Sequence, residues 1–486
     1  MRYCLVTLGC PKNEVDSDGM ATLFGQAGYK PVDKPAKADI LVVNTCGFID
    51  LAVKESTQAL RSLAAQKRPG QILIAAGCLV ERYADKLRAD LPQIDAVVGT
   101  RELERIVEVI EAAKGNGVLH LKEGKRGKGT WDQVSAARGS EARASAYLKI
   151  ADGCSASCAF CTIPGIKGPY HSKPVADVVD EARGLVAAGT REIILIAQDS
   201  TAYGFDRGER EALADLIPAI VAVFPGRTGL TWLRIMYAYP THVTDRLIEV
   251  MARYPQVCHY LDLPLQHADP AVLKRMKRPG DVESVRSLIR RLREAMPDIA
   301  LRTTFIVGFP GETEEEFQTL LDFMEEISFD RLGVFTYSRE PGTVAAALPG
   351  QLSDDVKQQR YDRTMAMQQR ISLARNRAQV GRELDVLVEG ITKVKGKPDS
   401  SLFPVVGRTY RDAPEVDGLI FCRGQARPGD IVRVKVIEAL EYDLLASIEE
   451  KKASARPGRH DNPASVSPCL DRQVQNYLAA AETKGK

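Results

Sequence analysis

Four short apolar runs rich in β-branched residues open the chain: RYCLVTLGC, ADILVVNTCG, GQILIAAGC and QIDAVVGT. Stretches with helical spacing, among them DLAVKESTQALRSLAAQ and VERYADKLRADL, lie between them. The alternation predicts β-α-β-α-β-α-β, a small doubly wound domain with a parallel sheet over residues 2–118. Residues 119–145 lose this periodicity and gather Gly, Lys, Arg and Ser, as a linker does. From Tyr147 a second alternation runs through YLKIADG, REIILIAQD, LTWLRIMYAYP, VCHYLDLPL, ALRTTFIVGFPG and RLGVFTYS. These six strand-helix units predict a full or partial parallel (β/α) barrel over residues 146–376, with a trailing helix from 353 to 377. RELDVLVEGI, GLIFCRG, DIVRVKVIEA and YDLLASI then read as short strands between turns, a small all-β barrel over residues 377–447. Residues 448–486 read as a flexible tail with one short helix.

At 486 residues the chain has room for about three domains. Hydrophobic residues at 44% and charged residues at 27% are ordinary globular usage, which excludes a disordered or collagen-like chain. The formal charge of +2 supplies no overall field that would gather nucleic acid or an anionic membrane. No apolar run approaches the ~18 residues of a membrane span, and no secretory leader is visible, so the expected location is the cytoplasm. There the ten cysteines should be reduced thiols, and clustering among them points to metal or redox chemistry.

Two cysteine constellations stand out. Cys10, Cys46 and Cys78 each fall where a predicted strand has just ended, beside Gly9, Gly47 and Gly77. In an open parallel sheet the strand C-termini share one crevice, so the three thiols should converge. Three thiolates suit an iron-sulfur cluster with one iron left open, whereas a closed structural zinc would want a fourth ligand. The second set, Cys154-Ser155-Ala156-Ser157-Cys158-Ala159-Phe160-Cys161, follows the first strand of the barrel with the spacing C-x3-C-x2-C. It too leaves one iron open, and an open iron can hold a small chelating substrate. Zinc completed by His171 is the competing reading. Cys4, Cys258, Cys422 and Cys469 have no partner spacing and read as core or tail thiols.

The C-x3-C-x-aromatic-C loop after the first strand of an α/β barrel resembles the radical S-adenosylmethionine (SAM) superfamily. With three N-terminal cysteines before it and a β-barrel after it, residues 2 to 447 resemble the methylthiotransferases, whose order is cluster domain, radical SAM barrel and TRAM domain. TLGCPKNEVDSD, NTCGFIDLAVKES, YLKIADGC, CTIPGIKG, AQDSTAYG, FTYSREPGT and GRTYRDAPEVDG resemble the branch that modifies a ribosomal protein. The tRNA branch carries a different string where AQDSTAYG stands.

The resemblance implies two 4Fe-4S clusters and SAM. Cys154, Cys158 and Cys161 would hold the catalytic cluster that cleaves SAM to a 5′-deoxyadenosyl radical, and Cys10, Cys46 and Cys78 the cluster that supplies sulfur. The radical would take hydrogen from an unactivated carbon, a step that acid-base side chains do not perform. The implied product is a methylthio group on an aspartate β-carbon of protein twelve of the small ribosomal subunit, with a reduced flavodoxin or ferredoxin as electron donor. Phe160, Gln198, Gly308, Gly311 and Glu312 are expected to approach SAM, Phe160 near its adenine. Asp199 ends the same strand as Gln198; Gln266 and His267 end another, and His267 reads as a surface or internally satisfied histidine. Ser155 stands where this branch usually has Asn, and Lys167, His171 and Lys173 where it favours Arg. Lys keeps the charge of an anion-contacting Arg but loses its bidentate geometry.

Between 379 and 447 there are 10 Lys and Arg against 11 Asp and Glu, which is not the footprint of a phosphate-tracking groove. Nucleic acid is therefore not the expected main substrate. Asp412, Glu415 and Asp417, beside Arg408 and Arg411, are expected at the surface, where they would dock a basic protein. Two other functions compete: a tRNA (N6-isopentenyladenosine-type) methylthiotransferase, with the same chemistry on another substrate, and a non-enzymatic iron-sulfur protein that binds RNA or transfers electrons.

Overall fold

The computed structural model describes residues 1–115, 143–225, 231–278, 280–391 and 403–449. Most of the expected linker, the tail from residue 450 and Cys469 therefore lie outside the described residues.

The first domain carries the strands β1 (Arg2–Thr7), β2 (Lys30–Pro31), β3 (Ile40–Thr45), β4 (Ile72–Gly77) and β5 (Ala96–Gly99). They form one parallel sheet in the order β2-β1-β3-β4-β5. β3, β4 and β5 are buried along their whole length, as strands covered by helices on both faces are. The two-residue β2 was not legible as a strand, yet it matters. It puts the switch in strand order between β1 and β3, where such sheets bind their ligands.

The second domain opens with β6 (Ser145–Lys149), then the two-residue pair β7 (Ala151–Asp152) and β8 (His171–Ser172). β9 (Glu192–Ile196), β10 (Trp232–Ile235), β11 (Val257–Asp262), β12 (Ala300–Val307) and β13 (Arg331–Thr336) complete it. The six long strands pair in parallel in sequence order from β6 to β13, and β6 does not pair with β13. The barrel is thus a partial one. Its lumen is filled by Tyr147, Ile194, Ile196, Trp232, Met236 and Tyr260, joined by Val15 from the first domain and by Leu387 and Ala413 from the third. The helix Asp354–Arg377 follows, with the Ser353 hydroxyl accepting from Val356 N at 3.4 Å.

The third domain is a closed barrel in the order β14-β15-β16-β18-β17, with β14 (Glu383–Ile391), β15 (Val405–Thr409), β16 (Ile420–Arg423), β17 (Ile431–Ala439) and β18 (Leu444–Ile448). β15 is the strand that pattern reading passed over, because GRTYRDAPEVDG looked like exposed turn. That expectation is wrong, and the reason is electrostatic. The segment enters the N-terminal end of the larger barrel and pairs there with charges on the strands. Arg408 reaches Glu192 at 2.5 Å, Arg331 reaches Asp412 at 2.5 Å and Arg411 reaches Asp330 at 2.5 Å. Tyr260 donates to Asp417 at 2.6 Å, with Arg302 3.3 Å from the same carboxylate. The Asp412 and Asp417 side chains are 3% and 2% exposed, so they bind this chain to itself and present nothing to a partner. Glu415 is half-buried in the same turn, at φ 69°.

Burial alone would raise the Glu192 carboxyl, but Arg408 and Arg234 overcome it and hold the group at about 2. Its ordinary value is 4.5, so the folded state favours the charged form. The resulting stability is complete above pH 4.5 and is lost as pH falls toward 2, amounting to about 3 kcal/mol. Urea unfolding of the native chain should lose about 2 kcal/mol more between pH 5 and pH 2.5 than Glu192→Gln does. Arg408→Ala should cost about 3–5 kcal/mol at pH 7 by leaving Glu192 underpaired. Equal acid sensitivity of the native chain and Glu192→Gln would show that this pair does not fasten the two barrels.

Candidate functional site

Cys10 caps the helix Pro11–Gln26 after β1, Cys46 follows β3, and Cys78 opens the helix Cys78–Asp90 after β4. The expected convergence is present, and Asn13 is its centre. Asn13 Nδ2 donates to Leu8 O at 2.7 Å and to Thr45 O at 3.2 Å, tying the loops after β1 and β3 together. Its Oδ1 lies 4.0 Å from both Cys10 Sγ and Cys78 Sγ. Asn44 holds that turn by donating to Asn13 O and Ser17 Oγ, each at 2.9 Å. Ser56 Oγ accepts from Cys46 N and donates to Cys46 O. Neither asparagine nor Ser56 was singled out in the sequence, although Asn13 and Asn44 lie three and two residues from predicted ligands. Gly9 has φ 101°, and a Cβ there would meet Cys46 Cβ at 2.7 Å and Cys46 Sγ at 3.1 Å. Burial pushes the Cys46 thiol up and the Cys78 thiol up to about 12, so a metal taken up here must displace protons.

The barrel cysteines lie on the loop after β7. Gly153, at φ 76°, lets that loop start tight against the next one, since a Cβ would stand 2.1 Å from Pro169 O. Cys154 N donates to Gly168 O at 3.0 Å, and Tyr170 N donates to Ser155 Oγ at 3.1 Å. Ala159 is clipped on both sides, donating to Met276 O and accepting from Ala345 N, each at 2.8 Å. Arg278 Nη1 lies 3.8 Å from Cys158 Sγ, its Nη2 donates to Pro264 O at 2.6 Å, and its guanidinium stacks 4.0 Å from the Tyr239 ring. Burial raises Cys154 and pushes Cys161 up to about 12.

Among the described residues no three His, Cys, Asp or Glu side chains gather as the ligands of one metal ion do. A single zinc binds thiolates at about 2.3 Å, whereas a cluster spreads its cysteines over several irons. His171, which the competing zinc reading requires as its fourth ligand, is exposed and faces Asp206 at 3.5 Å. All-cysteine triads with backbone donors and an arginine around them fit iron-sulfur clusters as donor sets.

A buried ionic group joins the two triads. Asp16, on the helix that Cys10 caps, pairs with Lys149 and, at 3.0 Å, with Lys167. Both lysines also face Asp152, at 3.7 and 3.6 Å. Burial opposes the charge on Asp16, but the two lysines hold its carboxyl below the ordinary range. Lys167 further donates to Thr100 Oγ1 at 2.6 Å. Lys173 is buried against Glu181. Lys167 and Lys173 therefore serve internal ion pairs, in keeping with the loss of an arginine's bidentate anion contact at these positions. Lys12, 8% exposed, rests its Nζ 3.1 Å above the Tyr237 ring, and burial lowers it to about 8 against the pull of Cys10, Asp262 and Asp152.

The other expected SAM-facing residues divide. Phe160 packs half-buried beside Ala159, Phe309 and Tyr337. Gln198 Nε2 donates to Asp152 Oδ1 at 3.2 Å, while its buried Oε1 has no partner among the described residues. Gly308 has φ 75°, but the side of it that a Cβ would take is filled by Lys357 Cγ at 2.4 Å. Gly311 N donates to Gly350 O. Glu312 is fully engaged: one oxygen accepts from Phe309 N at 2.9 Å and the other from Arg360 at 2.8 Å. It braces its loop against the helix Asp354–Arg377. Asp199 does the same for the turn after β9, accepting from Thr201 N and Ala202 N. His267 is not a surface residue, since its side chain is wholly buried, and burial lowers it to about 3.

Residues 2–99 match the uncharacterized protein family UPF0004, residues 148–324 the radical SAM superfamily, and residues 380–448 the TRAM domain. The chain is 46% identical over 476 residues to ribosomal protein uS12 methylthiotransferase RimO of Herpetosiphon aurantiacus, covering 92% of this chain and 100% of that protein. The protein of the same name from Geobacter sulfurreducens is 45% identical over 450 residues, with 92% and 98% covered. In fold the chain is similar to the radical SAM methyltransferase TsrM from Kitasatospora setae, with a TM-score of 0.55 at 16% identity over 71% of this chain and 73% of that one.

Three substitutions test the geometry. Gly9→Ala should cost on the order of 2 kcal/mol or more, since it meets both backbone strain and Cys46. Gly28→Ala, at φ 77° with nothing within 4 Å, should cost clearly less in the same thermal melt; equal losses would mean that the approach of Gly9 to Cys46 is not a constraint. Asp16→Asn leaves two buried lysines facing one carboxylate and should cost about 3–5 kcal/mol in urea unfolding. A loss under 1 kcal/mol would show that the Asp16 group does not hold the domains together.

Proposed function

The chain belongs to the ribosomal protein uS12 methylthiotransferases, and from that membership we propose that it places a methylthio group on the β-carbon of an aspartate in uS12. The carrying observation is one helix, Pro11–Gln26: it starts at Cys10, buries Val15 in the barrel lumen and pairs Asp16 with the strand and loop that carry the barrel cysteines. The two cysteine triads are thereby tied to one ionic junction. In this reading Cys154, Cys158 and Cys161 hold one 4Fe-4S cluster and Cys10, Cys46 and Cys78 another. When bound, the first supplies the electron that cleaves SAM and the second supplies sulfur.

The chain's own residues do the positioning. Arg278 sets a cation 3.8 Å from the Cys158 sulfur, where it would counter the negative charge of a cluster-bearing loop. Asn13 fixes the spacing of Cys10 and Cys78, and Ser56 fixes Cys46. Phe160 and the free Oε1 of Gln198 are the groups best placed to meet SAM, whereas Glu312 and Gly308 support the loop behind. The packed lumen keeps water from the junction. A reduced flavodoxin or ferredoxin is the proposed electron donor and the cytoplasm the proposed location; among the described residues no helix is long and apolar enough to cross a membrane. Relatives that match along their whole length disfavour the tRNA and non-enzymatic readings.

Anaerobic reconstitution should give about eight irons per chain if both clusters are cubane-type. Replacing either triad by Ala should halve the count, and only loss of the barrel triad should abolish reductive SAM cleavage. Mass spectrometry of uS12 from cells with and without the chain should show the methylthio group only in its presence. Modification of tRNA with unmodified uS12, or full iron retention in either triple variant, overturns the reading.

A further inference from the structure

A buried cation ordinarily has its own anion, because an ammonium taken out of water without one is costly. Lys12 does not. Among the described residues it has a single close partner, the face of the Tyr237 ring, and no ion-paired carboxylate. The two carboxylates whose fields reach it are already committed. Asp262 accepts from Arg302 Nη1 at 2.8 Å and from Tyr237 N at 3.2 Å. Asp152 accepts from Gly153 N and Gln198 Nε2 and faces Lys149 and Lys167. Lys12 therefore stands at the junction of the triads as a buried positive group with no carboxylate of its own, the Cys10 sulfur being the other group whose field reaches it.

Its platform is strained in a way that fixes it. Tyr237 has φ 62°, a conformation that bulky L-residues rarely adopt, and it is locked by donating to Asp262 and by accepting from Ser200 N at 2.9 Å. Such strain persists where the surroundings over-determine it, and here it lays the ring flat under the ammonium. Lys12 is also two residues from Cys10 on the same helix start, so a group that meets its Nζ lies beside the proposed sulfur-delivering cysteines.

We infer that Lys12 receives the carboxylate of the target aspartate, holding the side chain so that its β-carbon faces the junction of the two triads. This rests on the reading above that the target is an aspartate of uS12. A carboxylate supplies the missing anion, and a charge-assisted hydrogen bond to it orients the carbon next to it. The contact also gives discrimination: an asparagine at the target position fills the same space but carries no charge, so the buried ammonium would still lack a paired carboxylate.

The test is a cycle between enzyme and substrate, read as binding affinity of the full chain, reconstituted anaerobically, for uS12 carrying either the modified aspartate or Asn at that position. The native chain should bind the aspartate form about tenfold or more tightly. Lys12→Met should bring that ratio to near one, while Lys12→Arg, which keeps the charge, should retain at least about a threefold preference. Iron content and SAM affinity of Lys12→Met, measured alongside, should match the native chain. A Lys12→Met protein that keeps the full aspartate preference overturns the assignment to Lys12 and leaves the substrate reading intact. So does one whose preference persists while iron or SAM binding falls, for the lysine would then serve a cluster thiolate or the SAM carboxylate. A native chain that does not distinguish the two forms overturns the aspartate reading and this inference together.

Discussion

The arrangement of Asp16, Lys149, Lys167 and Asp152 is what makes this one catalytic body rather than three tethered domains. Two cations and two anions, each nearly stripped of water, cancel to zero only when the helix Pro11–Gln26 lies against the barrel. Their mutual attraction must outweigh a desolvation penalty of several kcal/mol per ion, so the group adds little net stability compared with an apolar contact. What it adds is uniqueness. An apolar face can slide by a residue at small cost, whereas a slide here leaves a charge buried and unpaired. The same group then fixes both sites. Asp16 lies six residues from Cys10, and Asp152 reaches Gly153 and Gln198 at the root of the barrel's cysteine loop.

The two ends of the partial barrel solve opposite problems. At the strand C-termini the chain leaves thiols, a lone ammonium and an unpartnered amide oxygen around one junction. At the N-termini it closes charges against one another: Glu192, Arg234, Arg302 and Arg331 are covered by β15 and the turn that follows it, and every one of them is paired. The division follows the general rule that parallel barrels do chemistry at the C-terminal face and gain stability at the other. It also gives the small β-barrel a structural duty that its own composition does not suggest.

How far the sequence could be read follows from which forces wrote it. The long parallel strands and both cysteine triads were legible, because burial on both faces forces continuous apolar runs and because the cysteines recur at strand ends. Features built from polar atoms were not. The helix Asp354–Arg377 buries Arg360, Thr364, Gln368, Ser372 and Asn376, a stripe at intervals of four that looks solvated when only apolar residues are counted. Asp412 and Asp417 were placed at the surface because charge normally goes there; their partners, Arg331 and Arg302, lie far away in sequence and nothing local marks the pairing. Glu312, expected near SAM on the family resemblance, is engaged by Arg360, a partner distant in sequence that nothing local marks.

This changes what net charge can be used for. A near-balance in the small β-barrel was evidence against a phosphate-tracking surface only if its charges faced solvent, and several do not. Taking away Arg408 and Arg411, and with them Asp412 and Asp417, removes equal numbers of each sign, so what remains is still balanced to within one charge. The argument against a nucleic-acid footprint therefore survives, but on other residues than those first chosen for it. The proposed recognition of a protein substrate moves accordingly from the outer domain to the junction itself, where one buried cation without a paired carboxylate would distinguish one side chain from its neutral isostere more sharply than a mixed-charge surface can.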